Sequence, residues 1–234
     1  MKSALEILYE DNHLLVVNKA AGILVQGDQT GDTPLVDVVK EYIKITYNKP
    51  GAVFAGLVHR LDRPTSGCVL FAKTSKALGR MNKQFAAREV EKTYWALVPK
   101  NNIPESGTLK HWMVRNPKNN KSYTHSKEVP NAKHAVLHYT LKQQMERYSL
   151  LEITLETGRH HQIRAQLAAI GYPIKGDLKY GAPRSNKDTS IDLHARQLAF
   201  VHPVKKTQLV LQAPLPSRSV WDSVLCDWAA VLFP

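Results

Sequence analysis

The sequence predicts an α+β fold, a single domain over residues 1–234 with a large mixed, mostly antiparallel sheet flanked by helices and loops. Three observations lead there. Short apolar runs with period-two alternation recur along the chain, the pattern of half-buried strands. Four segments interspersed among them carry apolar residues at helical spacing instead. The chain has 234 residues and a 43% hydrophobic content, enough to bury a core without disulfides or metals.

Taken in order, Leu5 to Lys19 reads as strand, turn and strand, with Glu-Asp-Asn-His at the turn. Gly22-Ile23-Leu24-Val25 resumes an apolar run after a small-residue break. Pro34 to Tyr47 has Leu35, Val38, Val39, Tyr42 and Ile43 at helical spacing; Thr33 suits its cap and Pro34 its first turn. Leu57 to Lys73 is a polar loop that runs into a buried strand, Cys68 to Ala72. Ser75 precedes a helix to about Arg88, with Leu78, Met81 and Phe85 on one face. Thr93 to Val98 is a strand. Residues 101–131 are polar and rich in Asn, Lys and Pro, an excursion folded as a hairpin or a loose loop. Ala135, Leu137, Tyr139 and Leu141 share one face of a strand; Leu151, Ile153 and Leu155 share a face of the next. His160 to Ile170 is read as a helix opened by Gly158. Leu193 to Val201 and Gln208 to Gln212 are the last strands. Ser217 or Ser219 caps a final helix with Trp221, Leu225, Trp228 and Leu232 along one stripe, a core-docking face.

Composition narrows the function. Lys and Arg total 32 against 20 Asp and Glu, a net charge of +12, which favours a polyanionic partner. Two distant cysteines, Cys68 and Cys226, make neither a disulfide framework nor a zinc cluster. Both lie in apolar surroundings and are expected as buried, reduced thiols. No apolar run approaches the length of a membrane span, and the N-terminus has no long apolar leader region. A cytoplasmic location is expected.

Four clusters carry chemistry. In the first, Asp62 stands between Arg60 and Arg63 in a polar loop just before a buried strand. Two guanidiniums, if they face it, would favour its ionised form, as a nucleophile or base; on spacing alone a structural aspartate, capping a turn or pairing with arginine, is the favoured reading. The second is Thr157 to Arg164, in which Arg159, His160, His161 and Arg164 are basic and His160 and Arg164 stand one turn apart. The two histidines are adjacent and point to different faces, so no metal site is expected. The third is Lys92 to Val98. Alternation puts Tyr94, Ala96 and Val98 on one side and Thr93, Trp95 and Leu97 on the other. Tyr94 is either a stacking ring or core packing. The fourth is the glycine-punctuated loop Gly171 to Gly181. No phosphate-binding glycine loop, dinucleotide fingerprint or serine elbow is present in the sequence, so nucleotide cofactors and serine hydrolysis are not expected.

Together these segments resemble the RluA-type RNA pseudouridine synthases. The resemblance rests on His59-Arg-Leu-Asp62-Arg-Pro-Thr-Ser-Gly67, Lys92 to Val98, Gly158 to Arg164, Gly171 to Asp177 with Tyr180-Gly181, and Leu193-His-Ala195. Asp-Asn-His-Leu-Leu-Val-Val-Asn-Lys19 looks like the family's opening strand. The family usually has Lys-Pro-x-Gly there, whereas this chain has Lys19-Ala20-Ala21-Gly22. The resemblance implies isomerisation of uridine in RNA without cofactor or metal. Asp62 would be the nucleophile, attacking C1′ or the base. Tyr94 would stack on the base, Arg164 would hold the catalytic Asp ionised, and Arg60 would help displace the target base from its stack. His59, Arg63, Arg159, His160 and His161 complete the expected RNA-binding set. The partner would be a ribosomal- or transfer-RNA stem-loop and the protein a monomer. Many relatives carry an N-terminal S4 RNA-binding domain, and none is expected before this catalytic domain. The excursion, with Lys110, Arg115, Lys118 and Lys121, is expected either to touch RNA or to be a solvated loop. Two other classes stay open: a non-catalytic RNA-binding protein on the same fold and a metal-dependent RNA hydrolase.

Overall fold

A computed structural model of the chain describes residues 5–218 and 220–224. In chain order its elements are β1 (Ile7–Glu10), β2 (Leu14–Lys19), α1 (Leu35–Thr46), β3 (Gly56–Leu57), β4 (Ser66–Ala72), α2 (Ser75–Ala86) and β5 (Glu91–Pro99). There follow β6 (Ser106–Asn116), β7 (Lys121–His125), β8 (Lys133–Gln144), β9 (Tyr148–Leu155), α3 (Gln162–Ala169), β10 (Leu193–Val201) and β11 (Gln208–Gln212). A 3-10 turn, Leu178–Tyr180, lies between α3 and β10. The α+β fold read from the sequence is the fold observed.

The contacts divide the chain into two compact units. One holds the residues up to Lys92 together with Ala195–Pro214. Its strands run in the order β1-β2-β4-β10, with β11 on β10 and β3 on β4. The β1–β2, β2–β4 and β10–β11 pairs are antiparallel. All of β4 is buried, which is why Cys68 to Ala72 is a continuous apolar run rather than an alternating one. Leu14, Val16, Leu70, Met81, Leu198 and Phe200 form the core, with α2 laid over it. Burial pushes the Cys68 thiol up to about 11, so it stays protonated and inert. Cys226 lies outside the described residues.

The other unit holds Thr93–His194 and the described residues from Leu215 onward. Its strand order is β5-β9-β8-β6-β7, and these pairs are antiparallel. Trp95 and Leu97 pack with Leu150, Trp221 and Val224 on one side of β5, as the alternation of β5 requires. The 101–131 excursion is the hairpin β6–β7, paired to β8 through Ser106↔Thr140 to Met113↔Lys133. Of the final stripe, Trp221 is buried and donates to Asp192 Oδ1 at 3.0 Å; Ser219, Leu225, Trp228 and Leu232 lie outside the described residues.

Three helix starts differ from expectation. Pro34, not Thr33, occupies the N-cap of α1, without a side-chain cap bond. Thr74 Oγ1, one residue before Ser75, accepts from Ala77 N–H and caps α2. The helix expected from His160 starts only at Gln162, because His161 takes a left-handed conformation (φ 54°) that a helix cannot contain. The Gln162 side chain folds back to accept from Arg159 N–H at 2.9 Å and from Thr157 Oγ1 at 2.8 Å. Gly158 therefore sits in a knotted turn ahead of the helix.

Candidate active site

The Asp62 loop is held from both sides. Thr65 N–H closes a turn onto the Asp62 carbonyl at 3.0 Å. The next carbonyl, of Arg63, receives Gly22 N–H at 2.8 Å and Lys19 Nζ at 3.1 Å. Lys19 Nζ also donates to the carbonyls of Ile23 (2.8 Å) and Ala20 (3.0 Å). Lys19 is 1% exposed. Burial pulls its pKa down to about 7, and the negative charge of Asp62 works in the opposite direction. This buried cation thus staples the 20–23 loop to the Asp62 loop. In the sequence Lys19 stands at a strand end, where Lys19-Ala20-Ala21-Gly22 resembles the family's Lys-Pro-x-Gly, but its bracing role is visible only from its burial.

Gly67 ends the loop at φ +114°, and a Cβ there would collide with the Ala195 carbonyl oxygen. Only glycine combines that backbone with that approach. Asp62 itself is half-buried. Arg63 bonds the Gly22 carbonyl at 3.0 Å and the Asp32 carboxylate at 2.7 Å, and Arg60, exposed, donates to Gln26 Oε1 at 3.3 Å. His59 faces inward. It stacks on Phe85 at 5.2 Å, and its Nε2 accepts from Leu70 N–H at 3.1 Å. Burial and the Lys92 charge lower its pKa to about 4, so the ring is neutral, as an acceptor must be.

An open cleft of about 840 Å³ beside Arg60 is lined in part by Asp28, Asp32, Asp37 and Lys40. Its carboxylates make it a poor seat for phosphate, and Asp62 is not among its lining residues.

In the other unit, Tyr94 is buried on β5 opposite Ile153. Its side of the strand is opposite the one carrying Trp95 and Leu97 into their core. Arg164, on α3, is gripped by Asp177. Nε meets Oδ2 at 2.7 Å and Nη2 meets Oδ1 at 2.9 Å, with the side chains 5% and 1% exposed. The guanidinium also lies 5.1 Å from the Tyr180 ring centroid. A bidentate pair of this kind holds both the position and the plane of the guanidinium. Asp177 belongs to the glycine-punctuated loop, where Gly176 takes φ +88°. The sequence showed an ordered loop there but not its partner.

The histidine pair stacks ring on ring at 3.8 Å. His160 Nδ1 shares a hydrogen with Ser122 Oγ at 2.8 Å, and His161 Nδ1 with Tyr180 Oη at 3.0 Å. His161 is 8% exposed. Desolvation, followed by the charges of Arg164 and its neighbours, pushes its pKa far below the usual imidazole value. His161 is thus a neutral structural ring. Arg159 is the outward member of the group, donating Nε to the His134 carbonyl at 3.0 Å.

The RNA pseudouridylate synthase family matches residues 13–169. RNA pseudouridine synthase YhcT of Bacillus subtilis is 34% identical over 217 residues, covering 91% of this chain and 69% of that protein. Ribosomal large subunit pseudouridine synthase D of Xylella fastidiosa is 34% identical over 242 residues, covering 97% and 69%. Among solved structures, human RNA pseudouridylate synthase domain containing 4 superposes with a TM-score of 0.76 at 27% identity, covering 91% of this chain and 89% of that one. The braced Asp62 loop, the β5 tyrosine and the locked arginine thus stand in a chain that belongs, by sequence and by fold, to the RluA-type RNA pseudouridine synthases.

Proposed function

We propose that Asp62 is the nucleophile of this synthase and that its target is a uridine in an unpaired loop of a ribosomal or transfer RNA. The reaction balances without cofactor or metal. The N1–C1′ bond breaks, the detached base turns, C5 joins C1′, and the C5 proton leaves while N1 gains one. Asp62 supplies the carboxylate, Tyr94 the ring that stacks on the base, and Arg164 the cation that keeps the nucleophile ionised. Arg60, exposed on the Asp62 loop, helps displace the base. Extrusion costs a few kcal/mol and is cheapest from a loop already unstacked. Arg63, Arg159 and His160 are offered to the RNA backbone. The whole of 1–234 acts as one catalytic domain, as a monomer in the cytoplasm.

The observation that carries this reading is the double brace on the Asp62 loop. Three carbonyls converge on buried Lys19, and a glycine conformation closes the other end. A solvated structural aspartate needs no such fixture, whereas a nucleophile must be held within a fraction of an ångström. The test is to incubate the protein, with EDTA present, with cellular RNA from a strain lacking the gene and to map pseudouridine by carbodiimide primer extension. A new modified uridine, lost in Asp62→Asn, supports the proposal. Binding without a new site, or cleavage abolished by EDTA, would overturn it.

A further inference from the structure

The outward face of β6–β7–β8 carries an aromatic row that the proposed chemistry does not use. Trp112 on β6 stands in register with His125 on β7 and with His134 on β8. Opposed residues of antiparallel strands share a face, so the three rings form one row across the sheet. The Trp112 and His134 rings lie 5.2 Å apart. Two residues further along β6, Val114 opposes Tyr123, which is 42% exposed. Two residues the other way stands Lys110. The opposite face is a core, where Met113 and Ala135 pack with Ala165 and Tyr180, and Gln166 of α3 bonds the Leu109 carbonyl. The alternation of β6 therefore spends one face on packing and leaves rings on the other.

His134 is exposed, and Trp112 and His125 are half-exposed. Lys110 and Lys127 are exposed and make no ion pair or hydrogen bond among the described residues. Arg159 is anchored by Nε to the carbonyl of His134 itself. The carboxylate of Glu156 is already engaged by His138 at 2.7 Å. An aliphatic protein partner would call for Leu or Ile on such a surface. Flat rings with unpaired cations at their margin suit nucleobases with phosphates alongside.

We propose that this face is a stacking platform for an unpaired stretch of the substrate RNA, with Trp112 at its centre and Lys110 and Arg159 meeting phosphates. The proposal rests on RNA being the substrate, not on the assignment of Asp62. It also divides the basic excursion. Lys110 serves the platform, whereas the Lys121 ammonium lies between two rings, 5.7 Å from the Tyr123 centroid and 5.0 Å from that of Tyr180.

The test uses the full chain with a fluorescein-labelled single-stranded 12-mer rich in uridine, a duplex of the same length, and a 4-thiouridine version for photocrosslinking. The single strand is expected to crosslink within residues 106–134. Trp112→Ala is expected to weaken its binding about tenfold, and Trp112→Phe to restore most of the loss. Lys110→Gln should reduce the salt dependence, and His134→Ala, at an exposed position, provides a variant with little risk to folding. Crosslinks confined to other segments, or Trp112→Ala and His134→Ala both binding like the parent, would overturn the proposal. So would a dimer in sedimentation that Trp112→Ala abolishes, which would give the face to a second copy. A wild-type protein that forms no pseudouridine but shows the expected crosslinks would sink the catalytic reading and leave the platform standing.

Discussion

At the scale of single residues, the molecule invests in two buried cations. Lys19 is 1% exposed and supplies all three of its donors to carbonyls. Its folded pKa, near 7, lies below the ordinary lysine value of 10.5, so between those values the unfolded chain binds more protons than the folded one. Stability contributed by this site therefore rises with pH across that window; the cost of burying the charge is full below pH 7 and relieved above it. In urea unfolding, the wild type should gain on Lys19→Met as pH goes from 7 to 10, and a constant difference would contradict the assignment. Arg164 is the second cation. Asp177→Ala leaves it buried without its main partner and should cost about 3–5 kcal/mol in the same measurement, with Asp177→Asn costing less because one acceptor remains. Of the residues around these two cations, the sequence motifs contain Lys19, Arg164 and Asp177 but not the contacts that join them. Asp177 lies 13 residues away in an irregular loop, and Lys19 reads as the polar end of a strand.

Among the elements, strands were the most legible. The bounds of β10 and β11 match the strands read at Leu193–Val201 and Gln208–Gln212, and in β11 burial alternates residue by residue, as period two requires where one sheet face is covered more than the other. The excursion was legible as a polar hairpin or loose loop, and the hairpin is what forms. Its register came from pairing with β8, and long-range pairing leaves no local signal. Helix starts were misread where a neighbouring residue did the capping. Thr74→Ala should therefore lower stability by about 1 kcal/mol, while Ser75→Ala, lacking the cap bond, should be close to neutral; denaturant midpoints distinguish the two. Gly67→Ala meets both an unfavourable φ and the Ala195 carbonyl and should cost about 3 kcal/mol or more. Because the clash lies at the end of the Asp62 loop, turnover should fall further than the population of folded protein does.

For the molecule as a whole, the net charge of +12 gave the class of partner before any residue was assigned. RNA affinity should fall linearly in log–log with salt, by about 0.7 per phosphate contact for a single strand. A filter-binding series between 50 and 200 mM salt reads this slope, and a flat series would remove RNA from the account. No helix among the described residues is long and apolar enough to cross a membrane. The family, the fold and the Asp62 loop were all present in the linear motifs. What the motifs did not show was how the loop is held, since its brace is made of carbonyls, a buried lysine and a glycine conformation. The central claim is that this held carboxylate does the chemistry. It is tested most directly with RNA tritiated at uridine C5, because joining C5 to C1′ must release that hydrogen. Under single-turnover conditions with EDTA, the wild type should release tritium and Asp62→Asn should release none, with RNA affinity and unfolding midpoint close to wild type. Tritium release by Asp62→Asn at a rate near wild type would contradict the account.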